Sequence, residues 1–213
     1  EALTELVQLG VLEIHVWGAK VTRLLYPDVL VFDLDPDPTV KWPQVRDAAL
    51  EVKDTLESLG LESFIKVTGG KGVHLHVPIE PDVRIDRAKE FTKAVAQLLM
   101  RQHPERYTSE LPKAKRKGKI FVDYLRNGWG STAICAYSLR AKPTGPVALP
   151  ITWRELKRLR SPDSFTIKNA AKRIRASEDP WADYFKVTQR IPNMGALDDR
   201  LDMRRSKTRS KNI

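Results

Sequence analysis

The sequence predicts an α+β fold in which a sheet is covered by helices, largely on one face. Two observations carry the prediction. Short apolar, β-branched and aromatic runs recur at Val29–Phe32, Phe64–Val67, Val73–Val77 and Ile120–Tyr124, as half-buried or buried strands require. Between them lie two stretches with apolar residues at helical spacing, and no internal repeat interrupts the alternation.

In chain order, Leu3, Leu6, Val7 and Leu9 mark the end of a helix stopped by Gly10. Val11 to Trp17 alternates as a strand that carries His15. The central run, Val29 to Asp35, closes at Pro36. Pro43 suits a first helical turn, and Val45, Ala49, Val52, Leu56 and Leu59 form one stripe ended by Gly60. Strands Phe64–Val67 and Val73–Val77 flank the tight loop Thr68–Gly72. A helix is expected from about Asp86 to Arg101, burying Phe91, Val95, Leu98 and Leu99. A turn through Asn127, Gly128 and Gly130 joins the strand Ile120–Tyr124 to a strand Thr132–Tyr137, in an expected hairpin. Thr152-Trp153-Arg154-Glu155 has capping-box spacing and opens a helix to about Arg160. Ile167, Ala170, Ala171 and Ile174 mark a further helix from Ile167 to Arg175. Periodicity fades beyond Tyr184, which divides the chain into a folded domain over 1–190 and a basic, flexible tail over 191–213.

At 213 residues and 41% hydrophobic the chain can bury a core. Its net charge of +10 favours an anionic partner, and removing the five positives of Arg204, Arg205, Lys207, Arg209 and Lys211 still leaves +5. A single cysteine, Cys135, excludes a disulfide framework and a cysteine-based zinc site, and its apolar neighbours suggest a buried, inert thiol. No run approaches the roughly 18 apolar residues of a membrane span and no signal peptide is visible, so a cytoplasmic location is expected. Glu1 in place of Met points to an upstream segment.

Side chains alternate along a strand, so Asp33 and Asp35 face the same way. Carboxylates that close titrate upward unless a cation lies between them, and hard divalent ions take such oxygen ligands. An ordinary strand end with an Asx turn would read the same. Asp123 ends its own strand; if the two strands are neighbours, three carboxylates converge at one rim, as two-metal nucleotidyl transfer requires. Alone, Asp123 fits better a strand-end pair with Arg126.

Thr68-Gly69-Gly70-Lys71-Gly72 can present backbone amides, a hydroxyl and a charge to an anion. It is not a Walker A loop, because a strand follows where a helix should begin. His74, next after the loop, is placed to donate to a phosphate, whereas His76 suits a hydrogen-bonded core position better than a metal pair with His74. Arg140 at another strand end could fork onto a terminal phosphate or form a surface salt bridge. Lys113, Lys115, Arg116, Lys117 and Lys119 form either a solvated face or a track for a nucleic-acid backbone. Trp129 either stacks on a base or packs at its loop's foot.

These pieces, in this order, resemble the polymerase domain of bacterial ligase D, in the archaeo-eukaryotic primase superfamily. The likeness rests on residues 12–17, 31–36, 66–78, 119–127, 136–143 and 150–156, which span most of residues 1–160. It implies a primase-polymerase-like antiparallel or mixed sheet with an RRM-like catalytic core. It also implies a template-dependent nucleotidyltransferase that extends DNA ends or fills gaps in non-homologous end joining. By the same resemblance Asp33, Asp35 and Asp123 are catalytic and hold two Mn²⁺ or Mg²⁺ ions. Thr68, Gly69, Gly70, Lys71, Gly72, His74, Arg116 and Arg140 grip an NTP or dNTP, with His15 beside it. Lys113, Lys115, Lys117 and Trp129 are expected to meet DNA. Threonine stands at position 68 where serine is commoner. The family's N-terminal stretch, with lysines for a recessed 5′-phosphate and an aromatic residue for the templating base, has no counterpart after Glu1. Its ligase and nuclease domains have none either, so partners such as Ku and an ATP-dependent DNA ligase, and a nucleoid association, are expected.

Two other readings stay open at this stage. Phe-Asp-Leu-Asp also resembles the nucleophile motif of haloacid-dehalogenase-like phosphatases, with Asp33 attacking phosphorus. That family expects Asp-Gly-Thr where this chain has Asp35-Pro36-Asp37. A non-catalytic nucleic-acid-binding module is the other, although Asp33 and Asp35 would then repel phosphates.

Overall fold

The structure, a computed structural model, describes residues 1–193 and residue 195; of the tail expected over 191–213, residue 194 and residues 196–213 lie outside them. Among the described residues, five α-helices, α1 (Ala2–Gln8), α2 (Trp42–Ser58), α3 (Ile85–Gln102), α4 (Trp153–Arg158) and α5 (Ala170–Ala176), accompany eight strands. The strands are β1 (His15–Val16), β2 (Val29–Pro36), β3 (Phe64–Val67), β4 (Val73–Pro78), β5 (Tyr107–Thr108), β6 (Ile120–Asp123), β7 (Ala133–Ile134) and β8 (Leu149–Ile151).

Six of them form a mixed sheet in the order β5-β6-β2-β4-β3-β8, antiparallel except for the β5–β6 pair. Strand alternation splits this sheet into two chemically different faces. Leu30, Phe32 and Leu34 of β2, Val73, Leu75 and Val77 of β4, and Ile120 and Val122 of β6 enter the core cluster. There they meet Val45, Ala49, Val52 and Leu56 of α2 and Phe91, Val95 and Leu99 of α3. The opposite face carries Asp33, Asp35, Lys66, His74, His76 and Asp123, because each pairs in register with another of that set or alternates with a core residue.

The expected helices are present within a few residues, and Thr152 and Glu155 cap α4 reciprocally. Four expectations are corrected. The hairpin between β6 and the following strand does not form: β6 pairs with β2 and β5, while β7 pairs with β1 in a separate ribbon. The strand expected from Val11 to Trp17 shortens to β1, because only His15 and Val16 find partners. The last helix begins at Ala170, and Ile167 and Ile174 stay exposed; α5 is held by Arg173, which donates to both Glu155 carboxylate oxygens. Cys135 is half-buried, so its thiol is not sealed in the core. No helix among the described residues is long and apolar enough to cross a membrane.

Candidate active site

The register of β2 answers whether the carboxylates meet. Asp33 lies directly opposite Asp123 on one side and His74 on the other. All three side chains therefore emerge on the face opposite α2 and α3, and Asp35 emerges two residues further along. His74 Nε2 stands 3.4 Å from Asp33 Oδ1. Arg126 Nε stands 3.1 Å from Asp33 Oδ2 and 3.4 Å from Asp123 Oδ2. Asp123 Oδ1 accepts from the Leu125 amide at 2.8 Å.

Asn127 explains how Arg126 reaches this position. β6 covers β2 only from Asp33 to Pro36, leaving the edge of Val31 without a strand partner on that side. The Asn127 amide takes over: its oxygen accepts from the Val31 amide at 2.7 Å, and its nitrogen donates to the Val31 carbonyl at 2.8 Å. A side chain thus completes the sheet and pins the turn bearing Arg126 beside the acids.

A polar cleft of about 280 Å³ opens over this face. His15, Asp33, Asp35, Thr68, Gly70, Lys71, Gly72, His74 and Arg140 line it, together with Arg126 and Lys142. The glycines of the loop have distinct reasons. A Cβ on Gly72 would lie 2.0 Å from the Leu34 carbonyl oxygen, so the loop presses on β2 and only glycine fits. Gly69 adopts φ +65°, a left-handed conformation that suits glycine. A Cβ on Gly70 would meet Thr68 Oγ1 at 3.1 Å and approach Lys142 and Arg140, filling the space where an anion would be held. The Thr68 hydroxyl is engaged within the loop, donating to the Gly72 carbonyl and accepting from the Gly70 amide.

Glu13, which sequence reasoning missed, organises two expected nucleotide contacts. Its carboxylate accepts from Arg140 Nε at 3.1 Å and from the Ala141 amide at 2.8 Å, and lies 3.1 Å from His15 Nε2. These contacts, the Ala141 amide foremost, hold its carboxyl at about 2. The available signal was its position two before His15. Lys66 was also missed. It is 1% exposed, donates its ammonium to the Ile134 carbonyl, and so ties the β1–β7 ribbon to the sheet; burial lowers it to about 8.

Electrostatics set the three acids apart. Burial opposes ionisation of Asp33, but His74 and Arg126 outweigh it and hold the carboxyl below its usual value. Burial, and then the charge on Asp33, push both Asp35 and Asp123 upward. His74 is lowered by burial, and its Nδ1 has no hydrogen-bond partner among the described residues. His76 is buried as well and lowered by that burial, with Tyr184 Oη 3.5 Å from its Nδ1; the core placement expected for it holds.

Other expected residues fall outside the cleft. Arg116 stacks on the Phe121 ring at 3.7 Å and lies 3.8 Å from Asp35, at the edge rather than among the cations that line the cleft. Lys113, Lys115 and Lys117 are exposed in and just after a short 3₁₀ turn. Trp129 is 65% exposed; it does not top a hairpin but walls a second, largely apolar hollow of about 260 Å³ with Trp17, Leu24 and Ile85.

Divalent cations fit this chemistry. Three carboxylates share one face, two of them are raised by burial and then by the charge on Asp33, and the cleft beyond them is lined by cations. They do not form a finished cage: no group of three His, Cys, Asp or Glu among the described residues is arranged to hold an ion. Arg126 stands between two of the acids instead.

A mixed sheet with its acids beside a glycine loop and a cleft lined by cations accords with a nucleotidyltransferase of the primase-polymerase class. The chain belongs to the LigD primase-polymerase domain family, whose model matches residues 1–181. It is 42% identical over 193 residues to the multifunctional non-homologous end joining protein LigD of Pseudomonas aeruginosa, covering 90% of this chain and 23% of that protein. It is 33% identical over 182 residues to the bifunctional LigD of Bacillus subtilis, covering 85% and 30%. Among solved structures, the polymerase domain of Mycobacterium tuberculosis ligase D in complex with DNA matches with a TM-score of 0.75 and 34% identity. That match covers 84% of this chain and 65% of that one. The chain thus spans well under half the length of these two LigD proteins. The family is one of nucleotidyltransferases that need divalent metals, which displaces the phosphatase reading.

Proposed function

We propose that this chain adds nucleotides to the ends or gaps of broken DNA, directed by a template strand, in bacterial non-homologous end joining. The observation that supports it most is the pairing of Asp33 with Asp123 across adjacent strands, beside the Thr68–Gly72 loop. Asp33, Asp35 and Asp123 would hold Mn²⁺ or Mg²⁺. When bound, such ions activate the attacking hydroxyl and neutralise charge on the triphosphate. The protein's own side chains do the rest. Lys71, Lys142 and Arg140 bind the triphosphate, and the Gly70 cradle lets it approach the backbone. Glu13 fixes the plane of Arg140 and the ring of His15 before the nucleotide arrives, which removes an ordering cost. His74, neutral when buried, orients Asp33 from behind.

Lys113, Lys115 and Lys117 supply backbone-directed charge for DNA, with Trp129 available to a base. Residues 1–190 form the catalytic domain and 191–213 a basic arm. The chain works in the cytoplasm at the nucleoid, with Ku and an ATP-dependent ligase as partners. The test is primer extension on gapped DNA, comparing ribonucleotides with deoxyribonucleotides in Mn²⁺ and in Mg²⁺. Metal-dependent, template-matched incorporation is expected. A folded protein that incorporates neither in either metal would refute the assignment.

A further inference from the structure

We propose that Arg126 is a resident counter-cation, occupying the place of a divalent ion between Asp33 and Asp123 and giving way to that ion when it binds. The inference rests on reading those carboxylates as metal-holding. One nitrogen, Arg126 Nε, stands within 3.4 Å of a carboxylate oxygen from each strand. An ion shared by the same two oxygens would need the same volume, since divalent ions bond oxygen at roughly 2.0–2.6 Å. Steric overlap and like charge make the two occupants exclusive. A guanidinium does not give up its proton in proteins, so it cannot stay as a neutral group and must swing away.

The surroundings allow that movement. The Arg126 side chain is 40% exposed, and beyond the two acids its one hydrogen bond among the described residues is from Nη1 to the Thr132 carbonyl at 3.3 Å. It lines both the polar cleft and the apolar hollow, so space adjoins it on either side. The other partner of Asp33 is different in kind: His74 is buried, approaches the far carboxylate oxygen, and can remain in place. Among the described residues no ready three-ligand cage exists, as expected where a side chain holds the carboxylates in a pre-exchange arrangement.

Loading is then an exchange in which one positive charge leaves as two enter. The metal-free protein gains a neutralised acidic rim, and in return the first ion binds weakly until a triphosphate adds its own oxygens. Metal and nucleotide should therefore arrive together.

The test is a titration of Mn²⁺ alone, without nucleotide or DNA, followed by the loss of the free-ion EPR signal. Arg126→Gln should bind Mn²⁺ about tenfold more tightly than the wild type, from removal of one competing charge at close range. Arg126→Lys, which keeps the charge, should stay near the wild type. The metal-free melting temperature of Arg126→Gln should fall, and Mn²⁺ should close the gap. Equal or weaker binding by Arg126→Gln overturns the exchange, provided Asp33→Asn still abolishes binding. If Asp33→Asn binds as the wild type does, the metal-holding reading itself fails. Should Arg126→Gln not fold, ¹⁵N-arginine spectra of the wild type decide, with the Nε–H signal assigned by its loss in Arg126→Lys. A shift of that signal toward free guanidinium on adding Mg²⁺ supports displacement; an unmoved signal refutes it.

Discussion

The two faces of β2 are built from alternate residues of one strand, yet they obey different rules. Leu30, Phe32 and Leu34 are fully buried against α2 and α3, where packing alone decides what is tolerated. Asp33, one residue from two of them, is 7% exposed and ringed by charge. The helix-covered face stores the stability; the open face spends part of it on holding acids, a lysine and histidines where apolar groups would be cheaper. Stability and chemistry are thus separable by substitution along a single strand.

The sharpest break should come from Asp33→Asn. Nucleotide addition is expected to fall by roughly a thousandfold or more, since a charged ligand is lost from the reacting centre. The melting temperature should move less than for any core truncation on the neighbouring residues. Retained extension in a primer assay would remove Asp33 from the chemistry. The mirror experiment is Phe32→Ala, which empties a fully buried ring position and should cost about 3–5 kcal/mol in denaturant unfolding. The molecules that remain folded should keep their nucleotide KM. A loss below about 1 kcal/mol would mean that the core face collapses around the gap.

Glu13→Gln sharpens the comparison at the rim of the open face. With the shared anchor of Arg140 and His15 weakened, the nucleotide KM should rise about tenfold while kcat changes little. An unaltered KM would make Glu13 purely structural. Its carboxyl is held low, so its stabilising contribution is complete above about pH 4.5 and is lost as the pH falls toward 2.

The smallest effect should come from Lys66. Burial depresses its ammonium from 10.5 to about 8, so between those values the unfolded chain binds more protons than the native one. Wild-type stability relative to Lys66→Met should therefore rise as the pH climbs from 8 toward 10. A flat difference in denaturant midpoints across that range would show that the buried lysine carries no such penalty.

Much of this architecture was legible in the residues. The stripes of α2 and α3 and the runs of β2, β3 and β4 are long enough for period to speak, and the Thr152–Glu155 cap is chemically explicit. The pairing of β6 was not legible, because local turn chemistry around Asn127 and Gly128 suggested a hairpin, while its partners were the two-residue β5 and, some ninety residues upstream, β2. β5 and β8 are two and three residues long, and β8 contains Pro150, which its edge position tolerates. At the site, residue types with obvious chemistry stood out: Asp33, Asp35, Asp123, Lys71 and Arg140. Glu13, Asn127 and Lys66 did not, since each acts through a backbone carbonyl, an amide or a neighbouring side chain that only the folded chain supplies. Arg126 was visible as a partner for Asp123, but its reach to Asp33 depends on Asn127 completing the edge of Val31.

Gly72 sits so close to the Leu34 carbonyl that no side chain can separate them. The floor of the polar cleft and the strand bearing the acids are therefore welded into one piece. If the cleft takes the nucleotide, as proposed, its preference is open to change at the tips that overhang the weld, such as Lys71 and Lys142, and not by reshaping the loop. A designer seeking a different sugar or base preference should leave that seam alone and work on what projects from it.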